Sequence, residues 1–142
     1  MTTGNAPAPA ALAWFVPGHP APQGSKRYVG HGRMIESSKK LAPWRERIAL
    51  TAHNEMRGRP LLAGPTTITL EFILTRPKST PKRRTPPATR QPDIDKLARA
   101  VLDALTGTTL IDDAQVTELT ARKRLAELGE TPGVNIAVAN HP

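Results

Sequence analysis

Along residues 41–56 apolar side chains recur every three or four positions, at Leu41, Trp44, Ile48, Ala52 and Met56, the spacing of one helical face. Ser37 or Ser38 is expected to cap this helix, Pro43 suits its first turn, and Gly58 with Pro60 ends it. Trp44 lies on the apolar stripe and reads as a core anchor. The period then changes. Over 65–75, Ile68, Leu70, Phe72 and Leu74 alternate with Thr67, Thr69 and Glu71, as a half-buried strand requires. Residues 12–16, LAWFV, form an opening strand stopped by the turn formers PGHPAPQG. Over 133–139 Val134, Ile136 and Val138 alternate with Asn135 and Ala137, which gives a final strand. Residues 114–124 fit helix or strand, and Val116, Thr117 and Thr120 tilt them to strand. A second helix is predicted over 97–106, where Leu97, Ala100, Val101, Ala104 and Leu105 make one apolar face and Gly107 follows.

Between these elements the chain turns basic. Residues 76–90, RPKSTPKRRTPPATR, hold Arg76, Lys78, Lys82, Arg83, Arg84 and Arg90 and no acid. Four prolines in that stretch exclude regular structure, so it is a loop, either a phosphate-contacting segment or a linker. Residues 23–33 place Lys26, Arg27 and Arg33 around Tyr28 and three glycines. They read as a flexible segment that tracks phosphates or as a solvated hairpin. Residues 1–11 are expected to be a disordered Pro/Ala arm, 12–139 one domain, and 140–142 a frayed tail.

Composition narrows the function. At 142 residues the chain is one domain with one core. A hydrophobic fraction of 38% and a mean hydropathy of −0.39 come with no bilayer-length apolar run, so a membrane role is set aside. Cysteine is absent, which removes thiolate chemistry and is compatible with a reducing cytoplasm. No secretory signal is expected at the start. A net charge of +8 and a pI near 10.6 make a polyanion, nucleic acid by default, the natural partner.

Against that basic background all five aspartates, Asp93, Asp95, Asp103, Asp112 and Asp113, fall between Pro92 and Val116. Like charges so crowded repel unless neutralised, and carboxylate oxygens suit a hard divalent cation such as Mg²⁺. On the second helix Asp95, Arg99 and Asp103 are spaced by four, forming an exposed stripe with Leu102. That stripe alone is an ordinary ion-pair ladder with Asp93 as N-cap. Two aspartates ahead of the helix body are more than a cap needs. As i and i+2 of an extended segment they would present both carboxylates to one ion. A short return after Gly107 is expected to bring Asp112 or Asp113 beside them, giving three converging carboxylates for one or two Mg²⁺ ions.

The run DIDKLARAVLDAL followed by G, then DDAQV and basic residues, resembles the signature of the RusA family of Holliday junction resolvases, D-x-D-N-x-x-K, D-A-L, then D-D-x-Q-V. WFVPGHPAPQGSKR is similar to the family's first strand and turn, and PGVNIAV to its last strand. The resemblance implies an α+β fold, a small mixed sheet of about four or five strands packed with two main helices, acting as a homodimer. It implies a Mg²⁺-dependent endonuclease, with Mn²⁺ an alternative ion, that binds four-way junction DNA and makes paired nicks. Carried over by position, Asp93, Asp95 and Asp113 match the family's catalytic, metal-binding aspartates. Asp112 and Asp103 match acidic positions of less definite role: Asp112 as a further ligand or a turn cap, Asp103 in the stripe. The family is common in phages and prophages, which implies a bacterial cytoplasm, with phage or host origin open.

Two positions depart from the pattern. Lys96 replaces the usual Asn, and Arg99 the usual Lys. Arginine stays protonated, so Arg99 can stabilise charge on a phosphate but not shuttle a proton. Lys96 either reaches the phosphate or repels metal. If these changes cost activity, the protein is a non-catalytic junction- or duplex-binding protein. A metal-dependent hydrolase of small nucleotides is the third reading, for which the basic loops are needless.

Overall fold

The computed structural model describes residues 10–24, 26–28, 34–36 and 39–141. A four-stranded mixed sheet is built from β1 (Ala10–Pro17), β4 (Thr66–Leu74), β5 (Val116–Leu125) and β6 (Gly133–Asn140), in the order β1-β6-β4-β5. β6 runs antiparallel to both β1 and β4, whereas β5 lies parallel to β4 on the sheet edge. β2 (Lys26–Tyr28) and β3 (Met34–Glu36) pair as a separate antiparallel ribbon, so residues 23–36 include a hairpin. Two helices, α1 (Leu41–Met56) and α2 (Ile94–Leu105), complete the α+β architecture. No helix among the described residues is long and apolar enough to cross a membrane.

The alternating positions explain how these layers meet. Trp14 and Val16 of β1, Ile68, Leu70 and Phe72 of β4, and Val134, Ile136 and Val138 of β6 are buried in one cluster. Leu41, Trp44, Ile48 and Ala52 of α1 enter it with Leu97, Ala100, Val101, Ala104 and Leu105 of α2. The apolar stripes read from the sequence are therefore the faces that pack.

Boundaries differ in small, explicable ways. β1 starts at Ala10, inside the predicted arm, because Ala10 and Ala11 continue the register with Asn140 and Ala139 of β6. For the same reason β6 runs one residue into the predicted tail. The rest of the arm, residues 1–9, lies outside the described residues, as do Ser37, Ser38 and Arg33. The N-cap position of α1 is Lys40, with no side-chain capping bond. At the other end Arg57 adopts left-handed geometry and Gly58 follows at φ +78°, as a helix stop requires.

One topological fact governs the site. Parallel neighbours need a crossover, and α2 is that crossover between β4 and β5. The helix must therefore run back along the sheet, with its start at the C-terminal ends of β4 and β5. Its end sits where those strands begin.

Candidate active site

At the start of α2, Asp93 occupies the N-cap position but makes no side-chain capping bond. Its carboxylate instead pairs with Lys96 at 3.5 Å, one turn on, with both side chains partly exposed. Asp95 sits inside the first helical turn and is exposed. The two are therefore not i and i+2 of one extended segment, the arrangement expected from the sequence. Only Asp93 has extended backbone, and Asp95 projects from the helix. The segment between β1 and β2 covers this end: the Gln23 N–H donates to the Lys96 carbonyl at 3.0 Å. A Cβ on Gly24 would stand 2.7 Å from Arg99 Nη1, so glycine lets that backbone lie against the guanidinium.

Lys123 of β5 fastens the approach to Asp93. Its ammonium donates to the carbonyls of Arg90 at 2.7 Å and Pro92 at 2.8 Å, on either side of the cis Gln91–Pro92 bond. Nothing in its composition sets Lys123 apart from the other basic residues after DDAQV. The usable signal was its position between Ala121 and Leu125 on the core-facing side of a strand.

At the far end of α2, Asp112 and Asp113 divide their roles. A 3₁₀ turn spans Asp113–Gln115, and Asp112 caps it, its Oδ1 accepting from the Ala114 N–H at 3.0 Å. Gln115 Oε1 accepts from the Asp112 N–H, while its Nε2 donates to the carbonyls of Leu62 and Gly64. Asp112 is thus a turn cap, and Asp113 is left facing out. Partial burial pushes the Asp113 carboxyl above the ordinary aspartate range, helped by its hydrogen bond with Asp112 and by the charges of Asp112 and Asp103. Asp103, on the last turns of α2, is thus close enough for its charge to be felt at Asp113. Asp103 also meets Arg45 of α1 at 3.4 Å, and Arg45 donates to Gln23 Oε1 at 3.1 Å. Arg99 forms no ion pair with Asp95 or Asp103 among the described residues, so the exposed stripe is not a ladder.

The expected convergence of three carboxylates does not occur within the chain. Among the described residues no three Asp, Glu or His side chains form a group able to hold a metal ion. The reason is the crossover: α2, twelve residues at about 1.5 Å each and so roughly 18 Å long, has Asp93 at its start and the Asp112–Asp113 turn beyond its end. The short return from α2 leads into the start of β5, not back to the helix start. Each end nonetheless offers hard carboxylate oxygens, and Mg²⁺ takes only one or two carboxylates alongside water and phosphate oxygens. The donor chemistry at both ends fits such an ion.

Among the basic residues, Arg76 is committed to structure. Its guanidinium donates to Thr85 Oγ1 at 2.6 Å and to the carbonyls of Ala126, Pro81 and Arg84, clasping the proline-rich loop. Lys78, Lys82, Arg83, Arg84 and Arg90 are exposed on that loop. Lys26 and Arg27 lie in β2. A cavity of about 580 Å³ opens between the loop, His19 and Thr75, with Arg90, Gln91 and Pro92 in its wall beside Asp93.

A family model described as Endodeoxyribonuclease RusA matches residues 17–139. No curated protein matches the chain.

Proposed function

The chain belongs to the RusA family of endodeoxyribonucleases, which resolve Holliday junctions, and on that premise we propose that it is a metal-dependent resolvase acting as a homodimer. The observation that carries this reading is the pair of acidic ends on α2, Asp93 with Asp95 and Asp113 with Asp103, in a chain of charge +8. Carboxylate oxygens at both ends suit a cation and a phosphodiester, with Asp93 and Asp103 giving up the exposed pairs they make with Lys96 and Arg45.

Because the two ends stand a helix length apart, one chain does not bring them to one phosphate. Two copies related by a two-fold axis, with their α2 helices antiparallel, would set the Asp93 and Asp95 of one against the Asp113 of the other. An isologous contact repeats that arrangement twice, which suits symmetric nicks in a junction of two-fold symmetry. Asp93, Asp95 and Asp113 would hold Mg²⁺ or Mn²⁺, and Asp112 would steady the turn that carries Asp113. Once bound, the ion would activate a water and stabilise the departing oxygen. Arg99 supplies a permanent positive charge to the phosphate, and Lys96 exchanges its exposed pairing with Asp93 for the backbone being cut. Lys26, Arg27, Arg33 and the loop cations grip the duplex arms.

The test is nicking of a synthetic four-way junction beside a linear duplex of the same sequence, with and without Mg²⁺. Symmetric paired nicks confined to the junction are expected. Asp95→Asn and Asp113→Asn should each bind the junction and fail to cut. Mixed one to one, half the dimers would be hybrids carrying one intact site of two, so about a quarter of the wild-type sites should return, as single nicks. Nicking by pure Asp95→Asn protein would refute the assignment, and a silent mixture would refute the shared site.

A second reading is favoured by the Lys96–Asp93 pair: a junction-binding protein without catalysis. It predicts binding with no nicks in Mg²⁺ or Mn²⁺, and restoring Asn and Lys at 96 and 99 would then test for lost activity.

A further inference from the structure

Lys123, which fastens the approach to Asp93, sits in surroundings unusual for a lysine. β5 is an edge strand, and along it Ala121 and Leu125 pack against the hydrophobic cluster. Lys123 lies between them at the period of a strand, so its stem occupies the covered face. A methionine or leucine would fill that place with apolar atoms. The charge is justified by what it meets: the carbonyls of Arg90 and Pro92, at 2.7 and 2.8 Å, in hydrogen bonds strengthened by the ammonium's charge. The residue after Pro92 is Asp93, whose own side chain makes no capping bond to the helix. Arg90, Gln91 and Pro92 also border the cavity under the basic loop. Lys123 makes two ties, from a sheet strand, to the segment that delivers this carboxylate.

We propose that Lys123 is a positioning residue for Asp93: its ammonium pins the segment 90–92 to β5 and so sets where the Asp93 carboxylate stands, without touching the phosphate. This rests on the reading that Asp93 takes part in junction cleavage. Groups that orient a site's ligands typically change function 10- to 100-fold when removed, and a displaced Asp93 should slow the chemical step without weakening DNA binding.

The experiment compares wild-type protein with Lys123→Met and Lys123→Arg. Junction affinity is measured in EDTA, single-turnover cleavage at saturating protein in Mg²⁺, and hydrogen exchange of residues 90–95 in metal-free protein. For Lys123→Met the expected result is affinity within twofold of wild type, cleavage at least tenfold slower, and faster exchange over 90–95. Lys123→Arg, which keeps charge and donors, should recover most of the rate. Unchanged cleavage by the Met variant would overturn the proposal. A loss of affinity as large as the loss of rate would also overturn it and make Lys123 a DNA contact. Unchanged rate with new self-association would instead assign it to protecting the sheet edge. Should the Met variant not fold, Lys123→Gln gives the same comparison. If wild-type protein itself does not cut, the nuclease reading fails, and the exchange data still decide whether Lys123 pins the segment.

Discussion

Asp112 and Asp113 are adjacent and chemically identical, and the backbone alone separates their roles. The 3₁₀ turn aims one carboxylate at the Ala114 N–H and leaves the other exposed, within the field of Asp103. Both candidate roles for Asp112 are visible in DDAQV, and the turn geometry shows the cap, made through one carboxylate oxygen. A similar commitment governs Glu130, which accepts from Arg124 at 2.6 and 2.7 Å and from the Glu127 N–H. The Arg124 guanidinium first, and then the Glu127 N–H, hold its carboxyl at about 2, below the ordinary 4.5. A depressed carboxyl stabilises the fold above its unfolded value, and that contribution is lost as pH falls through the folded one. Wild-type protein should therefore melt above Glu130→Gln at pH 7, and the gap should close between pH 4.5 and 2. A gap independent of pH in thermal melts would contradict this.

Among elements, α2 was the most legible and the most misleading. Its apolar face follows from five residues at helical spacing, all of them buried. Leu97 is fully enclosed, so Leu97→Ala should cost about 2–5 kcal/mol, read from chemical denaturation. A loss below 1 kcal/mol would mean that this face does not pack as described. What the pattern could not supply is direction. From the sequence, a helix followed by a short turn reads as returning its chain to where it began, which puts Asp113 beside Asp93. Whether the next strand is parallel depends on its pairing with β4, which ends twenty positions before the helix starts (Leu74 against Ile94), and no local period records it. Lys123 escaped notice for a related reason. In a basic run such as ARKR only the strand's phase shows which member faces inward.

For the whole molecule, charge and layers act together. One side of the sheet carries the helices, and the exposed cations Lys78, Lys82, Arg83, Arg84 and Arg90 share a single loop at the Asp93 end. Phosphate contacts release counterions, so junction affinity should fall steeply with salt. Replacing Lys82, Arg83 and Arg84 with Gln should lower the slope of log K against log salt by about three. Arg76→Gln should act differently, by loosening the loop it clasps. A slope unchanged by the triple substitution would move the DNA to another face. The basic loop and the acidic helix ends were legible from composition and spacing. The sheet order was not, because pairing partners are chosen by whole faces meeting in space.

That strand order also dictates when the protein can assemble. β6 stands between β1 and β4, yet it is the last strand to be synthesised, and its partner in β1 is more than a hundred residues behind it, as Val16 is from Val134. The β4–β5 pair likewise joins residues about fifty apart. Contacts so distant close large loops before they return any stabilisation, which slows folding. Until β6 inserts, β1 has no partner in the sheet and β4 keeps one edge open, so the nascent chain exposes strand edges to its neighbours for most of its synthesis.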